Sequence, residues 1–232
     1  MSNDFFKFKQ FTVEHARCGM KVGTDGVLLG AWANGGNKIL DVGTGSGLIA
    51  LFMAQRNIHS SIVAIDIDSD AVAQAMINVE NSIFKDRITV IQAIFQNFHS
   101  GTYDSIVCNP PFFANAIKNK DKKRTLARHT DSLSYCELFR GVVRLLSENG
   151  EFSVVIPAEC RSDFDEQAAI YGMFPSRICA VKTVPYKPVC RYLLAYRKKP
   201  VDSINESLEF INNDDMSRSD WYKCLTDDFY LY

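Results

Sequence analysis

No run of about 18 apolar residues occurs anywhere in this 232-residue chain, so an ordinary membrane-spanning helix is not expected. The opening stretch, Met1 to Gln10, is polar, lysine-containing and aromatic and lacks the apolar centre of a signal peptide, which predicts a cytoplasmic location. No two of the seven cysteines form a close pair at metal-ligand spacing, and an odd number suits no disulfide framework. They read as reduced, structural thiols, and no metal is expected. Internal repeats and low-complexity segments are absent. Net charge is nearly absent too, at -1, and names no partner by its total. Its distribution is uneven, because residues 201–232 hold eight acidic side chains against Arg218 and Lys223, leaving the rest of the chain mildly basic.

What is present is the composition of a globular protein, 47% hydrophobic and 23% charged, with enough length for one large α/β domain. Short apolar runs alternate with longer stretches of helical pattern, the order of βαβ units building a parallel sheet. Strands are predicted at Lys38 to Asp41, Ser61 to Asp66, Ile88 to Gln92, Tyr103 to Cys108, Glu151 to Ile156, Arg177 to Val184 and Arg191 to Tyr196. Helices are predicted at Gly26 to Ala33, Leu48 to Arg56, Ala71 to Ile83, Leu133 to Leu146 and Asp163 to Tyr171, with Ser217 capping a last one. Only Pro185-Tyr186-Lys187-Pro188 and its neighbours separate the last two strands, too few residues for a crossover, so the seventh strand should run antiparallel. The expected fold is a doubly wound, Rossmann-like, seven-stranded sheet forming a single domain. Within it, residues 1–36 form an N-terminal segment closing a cofactor pocket, 37–200 a catalytic core and 201–232 an acidic extension.

The segment Ile39-Leu40-Asp41-Val42-Gly43-Thr44-Gly45-Ser46-Gly47 places a strand before a glycine-rich turn and a helix, a context in which backbone can approach a ligand. A dinucleotide fingerprint would need a further glycine where Leu48 stands, so nicotinamide and flavin cofactors lose ground. Asp41, at the strand end, suits an ammonium group. Asp66 lies 19 residues past Gly47, about where an acid that holds a ribose diol belongs. Helix N-capping is the competing reading for Asp66 and the favoured one for Asp68.

The fourth predicted strand ends in Asn109-Pro110-Pro111-Phe112. Two prolines fix φ and remove two N–H donors, giving a rigid turn rich in acceptors. An exocyclic amine on a base is a weak nucleophile, because its lone pair is delocalised into the ring. Asn109 Oδ1 and the Pro110 carbonyl are suited to drawing its hydrogens out of plane, and Phe112 to stacking on the base. A proline-braced loop without chemistry is the bland alternative, and it weakens beside the glycine loop and Asp66.

These motifs resemble those of the class I S-adenosylmethionine-dependent methyltransferases. The resemblance implies S-adenosylmethionine as cofactor, with Asp41, Gly43 and Gly45 at its methionine end, Asp66 at the ribose and Ala93 at the adenine, and with Gly47 and Ile67 also among the cofactor-binding residues. Many relatives carry an acid after the third strand, where this chain has Gln92-Ala93-Ile94, so Gln92 or a backbone carbonyl is left to meet the adenine amine. The Asn-Pro-Pro-Phe turn is shared by enzymes acting on adenine N6, guanine N2 or protein glutamine amides; a cofactor-binding module without catalysis is a further alternative. The segment from Phe11 to Trp32, with the ending Asp228-Phe229-Tyr230-Leu231, is similar to the bacterial tRNA1(Val) adenine-N6 methyltransferase family. That similarity implies a tRNA substrate methylated at the adenine 3′ of the anticodon, and a cofactor-pocket wall including Lys21, Thr24 and Asp25. Lys118, Lys120, Lys122, Lys123, Arg124 and Arg128 follow the catalytic turn closely and read as RNA contacts in preference to a solvated surface loop, and His129 beside them reads equally as an RNA contact or a structural residue. No membrane or obligate protein partner is expected.

Overall fold

The structure is a computed structural model and describes residues 4–19, 21–110 and 133–231. A short hairpin, β1 (Phe5–Lys7) and β2 (Thr12–Glu14), precedes helix α1 (Thr24–Trp32). The core then runs β3 (Lys38–Val42), α2 (Leu48–Arg56), β4 (Ser61–Asp66), α3 (Ser69–Glu80), β5 (Ile88–Gln92) and β6 (Tyr103–Cys108). It continues with α4 (Tyr135–Leu145), β7 (Leu146–Pro157), α5 (Arg161–Ile170), β8 (Phe174–Lys182), β9 (Val189–Arg197), β10 (Asn205–Phe210) and α6 (Asp220–Thr226).

The main sheet has the order β10-β8-β9-β7-β6-β3-β4-β5. From β7 to β5 every neighbour is parallel, and β9 runs antiparallel to both β7 and β8. The antiparallel seventh strand therefore stands as expected, but it is not the last. An eighth strand, β10, follows and pairs in parallel with β8. The chain moves outward from β3 to β5 and returns to the other side of β3 with β6. This reversal leaves a crevice between the carboxyl ends of β3 and β6, the place where open α/β sheets bind ligands.

Alternating side chains put the two faces of the sheet into two cores. Ile39, Val107, Val155 and Leu193 pack with α1, α2 and α6, while Leu40, Ile106, Val154 and Leu194 pack with α4 and α5. Local chemistry sets the helix ends. Ser134 and Glu137 form a reciprocal capping box at the start of α4. Asp68 caps α3 by accepting from the Asp70 amide, as favoured from sequence. α1 starts after Gly23 with no side-chain cap, so neither Thr24 nor Asp25 is spent on capping. The last helix is capped by Ser219 rather than Ser217, because Ser219 Oγ accepts from the Tyr222 amide at 3.1 Å.

The acidic C-terminal stretch supplies β10 and α6, and its end lies on the first core. Phe229 is 1% exposed and stacks on Phe52 with centroids 3.9 Å apart, while Lys9 N donates to the Phe229 carbonyl. The Asp-Phe-Tyr-Leu ending thus joins the N-terminal hairpin to α2. That hairpin is also held at α3, where Asn78 Nδ2 donates to the Glu14 carbonyl and to the Ser46 carbonyl in the glycine loop, both at 2.8 Å.

Candidate active site

A cavity of about 570 Å³ opens at the switch point. Its floor is the glycine loop between β3 and α2. Gly43 and Gly45 have φ of +69° and +56°, and a Cβ built on either would meet nothing within 4 Å, so the space above them is open. The loop conformation requires glycine at both positions, and the same missing side chains let a ligand approach the backbone. Amides of Gly43 and Thr44 are anchored on the Ile65 carbonyl at 2.9 and 3.0 Å. Gly47, also left-handed at φ +81°, serves the entry into α2 instead and does not line the cavity.

Asp66 points from the end of β4 into this region. Its Oδ2 accepts from Gly45 N at 2.8 Å and its Oδ1 from Asp68 N at 3.0 Å. An ionised carboxylate has about four acceptor positions, so both oxygens keep capacity for a diol. Asp66 holds the amide of the cap residue Asp68 and does not itself cap α3, so the capping reading passes to Asp68 alone. Asp41 departs from its expected position beside the ligand. It shares the sheet face of Ile39, lies under the start of α2 and is fully buried outside the cavity lining. Its Oδ2 accepts from Thr44 Oγ1 at 2.6 Å and from Ala50 N at 3.1 Å, bracing the loop and one of the free first-turn amides of α2. Burial pushes its carboxyl up to about 7, against the smaller opposing effects of those two hydrogen bonds.

At the other end, Ile67, Ala93, Ile94 and Phe95 form an apolar wall. Gln92 is absent from it because its amide turns outward to the Ile67 carbonyl at 3.3 Å. Lys21, Thr24 and Asp25 line the side contributed by the N-terminal segment. Opposite the apolar wall, Asn109 and Pro110 follow β6 into the cavity, and Asn109 Oδ1 is buried with no hydrogen-bond partner among the described residues. An orphaned buried acceptor is costly in a folded protein unless a ligand completes it. Cys108, just before it, is buried, and burial raises its thiol well above the usual range, so it offers no thiolate. Pro111, Phe112 and the basic residues Lys118, Lys120, Lys122, Lys123, Arg124, Arg128 and His129 lie outside the described residues.

Arg191 was not recognised from sequence. It stands on β9 opposite Pro157, at the same edge of the sheet as Asn109, lines the cavity and forms an ion pair with Asp25. Phe95, Gln96 and Leu133 were also missed, since they belong to segments without a motif. No group of three or more potential metal ligands occurs among the described residues, and all seven cysteines are free.

A glycine-floored cavity with an open diol acceptor, an apolar end and an acceptor-bearing turn at the switch point is the arrangement of the class I S-adenosylmethionine-dependent methyltransferases, and the fold agrees. A predicted O-methyltransferase from Agrobacterium tumefaciens superposes with a TM-score of 0.69 at 14% identity, over 90% of this chain and 98% of that one. The family model of the methyltransferase small domain matches residues 19–164. Relatives in Bacteroides fragilis and Phocaeicola vulgatus, each named tRNA1(Val) (adenine(37)-N6)-methyltransferase, are 45% and 46% identical over 100% of this chain and 99% of theirs. The chain belongs to the tRNA1(Val) (adenine(37)-N6)-methyltransferase family, and its cofactor is S-adenosylmethionine.

Proposed function

We propose that the protein transfers a methyl group from S-adenosylmethionine to N6 of an adenine in tRNA, the target being the adenine 3′ of the anticodon in tRNA1(Val). The observation that carries the chemistry is the buried Asn109 Oδ1 at the cavity edge, which has no hydrogen-bond partner among the described residues. The full-length similarity to enzymes of that name supports the substrate. Gly43, Gly45, Lys21, Thr24 and Asp25 would hold the amino-acid end of the cofactor. Asp66 and Ile67 would hold the ribose, and Ala93, Ile94 and Phe95 the adenine.

S-adenosylmethionine, when bound, would supply a methyl group on a positively charged sulfur, which would keep the electron pair of the carbon–sulfur bond when the amine nitrogen bonds to carbon. The nitrogen gains positive charge as it attacks. Asn109 Oδ1 and the Pro110 carbonyl accept its two hydrogens and so stabilise the transition state more than the neutral amine. No strong base is required, because the methylated nitrogen loses one proton to water afterwards. Phe112 would stack on the base and hold it in line, and the basic residues from Lys118 to Arg128, with His129, would contact RNA. An adenine in an anticodon loop is already partly unstacked, so bringing it to Asn109 costs less than flipping from a duplex. A cytoplasmic location accords with this substrate and with seven free cysteines.

Asn109→Ala tests the role. Turnover should fall about 10²- to 10³-fold while cofactor affinity stays within a few fold, since the lost contact strengthens in the transition state. Near-normal turnover would remove Asn109 from the mechanism.

A further inference from the structure

The cavity continues past Asn109 to a residue that cofactor binding leaves unexplained. Adenine and ribose positions lie at β5 and β4 and the glycine loop follows β3, whereas Arg191 lies on β9, two strands beyond β6, and borders the amino-acid end only through Asp25. Asp25 is its ion-pair partner, through Nη1. Its Nε is buried and has no acceptor among the described residues. A guanidinium carries five donors in a planar fork that matches phosphate oxygens. Asp25 can therefore orient Arg191 while part of the fork stays available to an anion entering from the substrate side.

The same strand starts from a turn at this edge. Lys187 N donates to the Val184 carbonyl at 3.1 Å, and Lys182 Nζ donates to the Pro185 carbonyl at 3.1 Å. The β8–β9 turn is thus braced by a hydrogen bond, a lysine and two prolines. It nevertheless presents Tyr186 at 71% exposure beside exposed Lys187. An aromatic ring and an ammonium on a pre-ordered turn lose little entropy on docking. β8 is parallel to β10 and antiparallel to β9, and β9 is antiparallel to β7, so this turn lies at the carboxyl edge of β7, on the side where Asn109 follows β6. The five Cα–Cα steps from Tyr186 to Arg191 reach at most about 17 Å, the span of a few nucleotides.

We propose that the β8–β9 turn and Arg191 form an RNA-contact element, with Arg191 taking a phosphate next to the target adenine and Tyr186 with Lys187 engaging a neighbouring nucleotide by stacking and charge. The proposal rests on tRNA being the substrate. A polynucleotide whose base reaches Asn109 must carry its backbone across this edge, and an arginine, a lysine and an open tyrosine face are the side chains that hold phosphates and unpaired bases.

The test compares wild type, Arg191→Gln and the double variant Tyr186→Ala, Lys187→Ala. It measures methylation kinetics on unmodified tRNA, tRNA affinity across a salt series, and S-adenosylmethionine affinity by calorimetry. The double variant should raise KM for tRNA about tenfold or more with kcat at saturation within about twofold. Arg191→Gln should weaken tRNA binding and lower the salt slope by about one. Cofactor affinity should be unchanged in the double variant, whose residues lie outside the cavity lining, whereas Arg191→Gln also releases Asp25 and is read from its salt slope. Unaltered tRNA affinity and slope would overturn the proposal, as would loss of cofactor affinity in Arg191→Gln with an unaltered tRNA salt slope, which would leave Arg191 serving the cofactor side alone. Failure of the wild type to methylate or bind tRNA would overturn the substrate assignment itself, and this element with it.

Discussion

Replacing Asp41 by asparagine should remove a loss of stability that the protein undergoes between acid and neutral pH, although it takes a charged residue from the signature loop. Asp41 has no exposed surface, and the two donors on its Oδ2 do not offset the desolvation of the carboxylate. Its carboxyl is therefore pushed from 3.8 to about 7 in the folded protein. Between those values the folded state holds a proton that the unfolded chain has released, so the contribution to stability falls as pH rises through the window and levels off above about 7. At about 1.4 kcal/mol for each tenfold change in proton affinity, the whole change is about 4 kcal/mol. Asparagine keeps the shape and an acceptor for Thr44 and Ala50 but does not titrate. Urea unfolding of both proteins without cofactor, at constant ionic strength and at several pH values, should show the difference growing toward the variant by an amount of this order. Parallel pH profiles would refute the argument that burial controls this carboxyl.

Other substitutions probe the packing that shapes the site. A Cβ at Gly141 would come within 2.3 Å of Phe95 Cε1, so Gly141→Ala should displace this wall of the cavity and weaken S-adenosylmethionine binding severalfold by calorimetry. Unchanged affinity would show that Phe95 does not shape the cofactor site. Phe229→Ala removes the ring stacked on Phe52 and should cost about 3 to 5 kcal/mol in denaturant unfolding; a loss below about 1 kcal/mol would mean that the C-terminal end is not part of the first core. Neutralising Lys122, Lys123 and Arg124 should weaken tRNA binding and flatten its salt dependence, and an unchanged slope would place the phosphates elsewhere.

The seven predicted strands were legible because each is a short apolar run bounded by helical pattern or turn residues. β10 was not, because Asn205-Glu206-Ser207-Leu208-Glu209-Phe210 is an edge strand with no fully buried position and reads as part of an acidic tail. The chemistry-bearing turn could be found because Asn109 directly follows a strand, so local order places it at the ligand edge. Asp41 was misplaced for the opposite reason. Its position at a strand end was clear, but the face it takes is set by α2, whose first-turn amide it accepts. Arg191 has no local signature at all. It reaches the site only because β9 reverses direction, which brings the start of that strand beside Pro157.

Incubation of the purified protein with labelled S-adenosylmethionine and unmodified tRNA, with cellular protein as a parallel substrate, followed by nucleoside mass spectrometry, tests the central claim most directly. Label in N6-methyladenosine of tRNA, lost in Asn109→Ala, is the predicted result. Label in N2-methylguanosine or in protein would contradict the assigned substrate, and no label in any fraction would contradict catalysis.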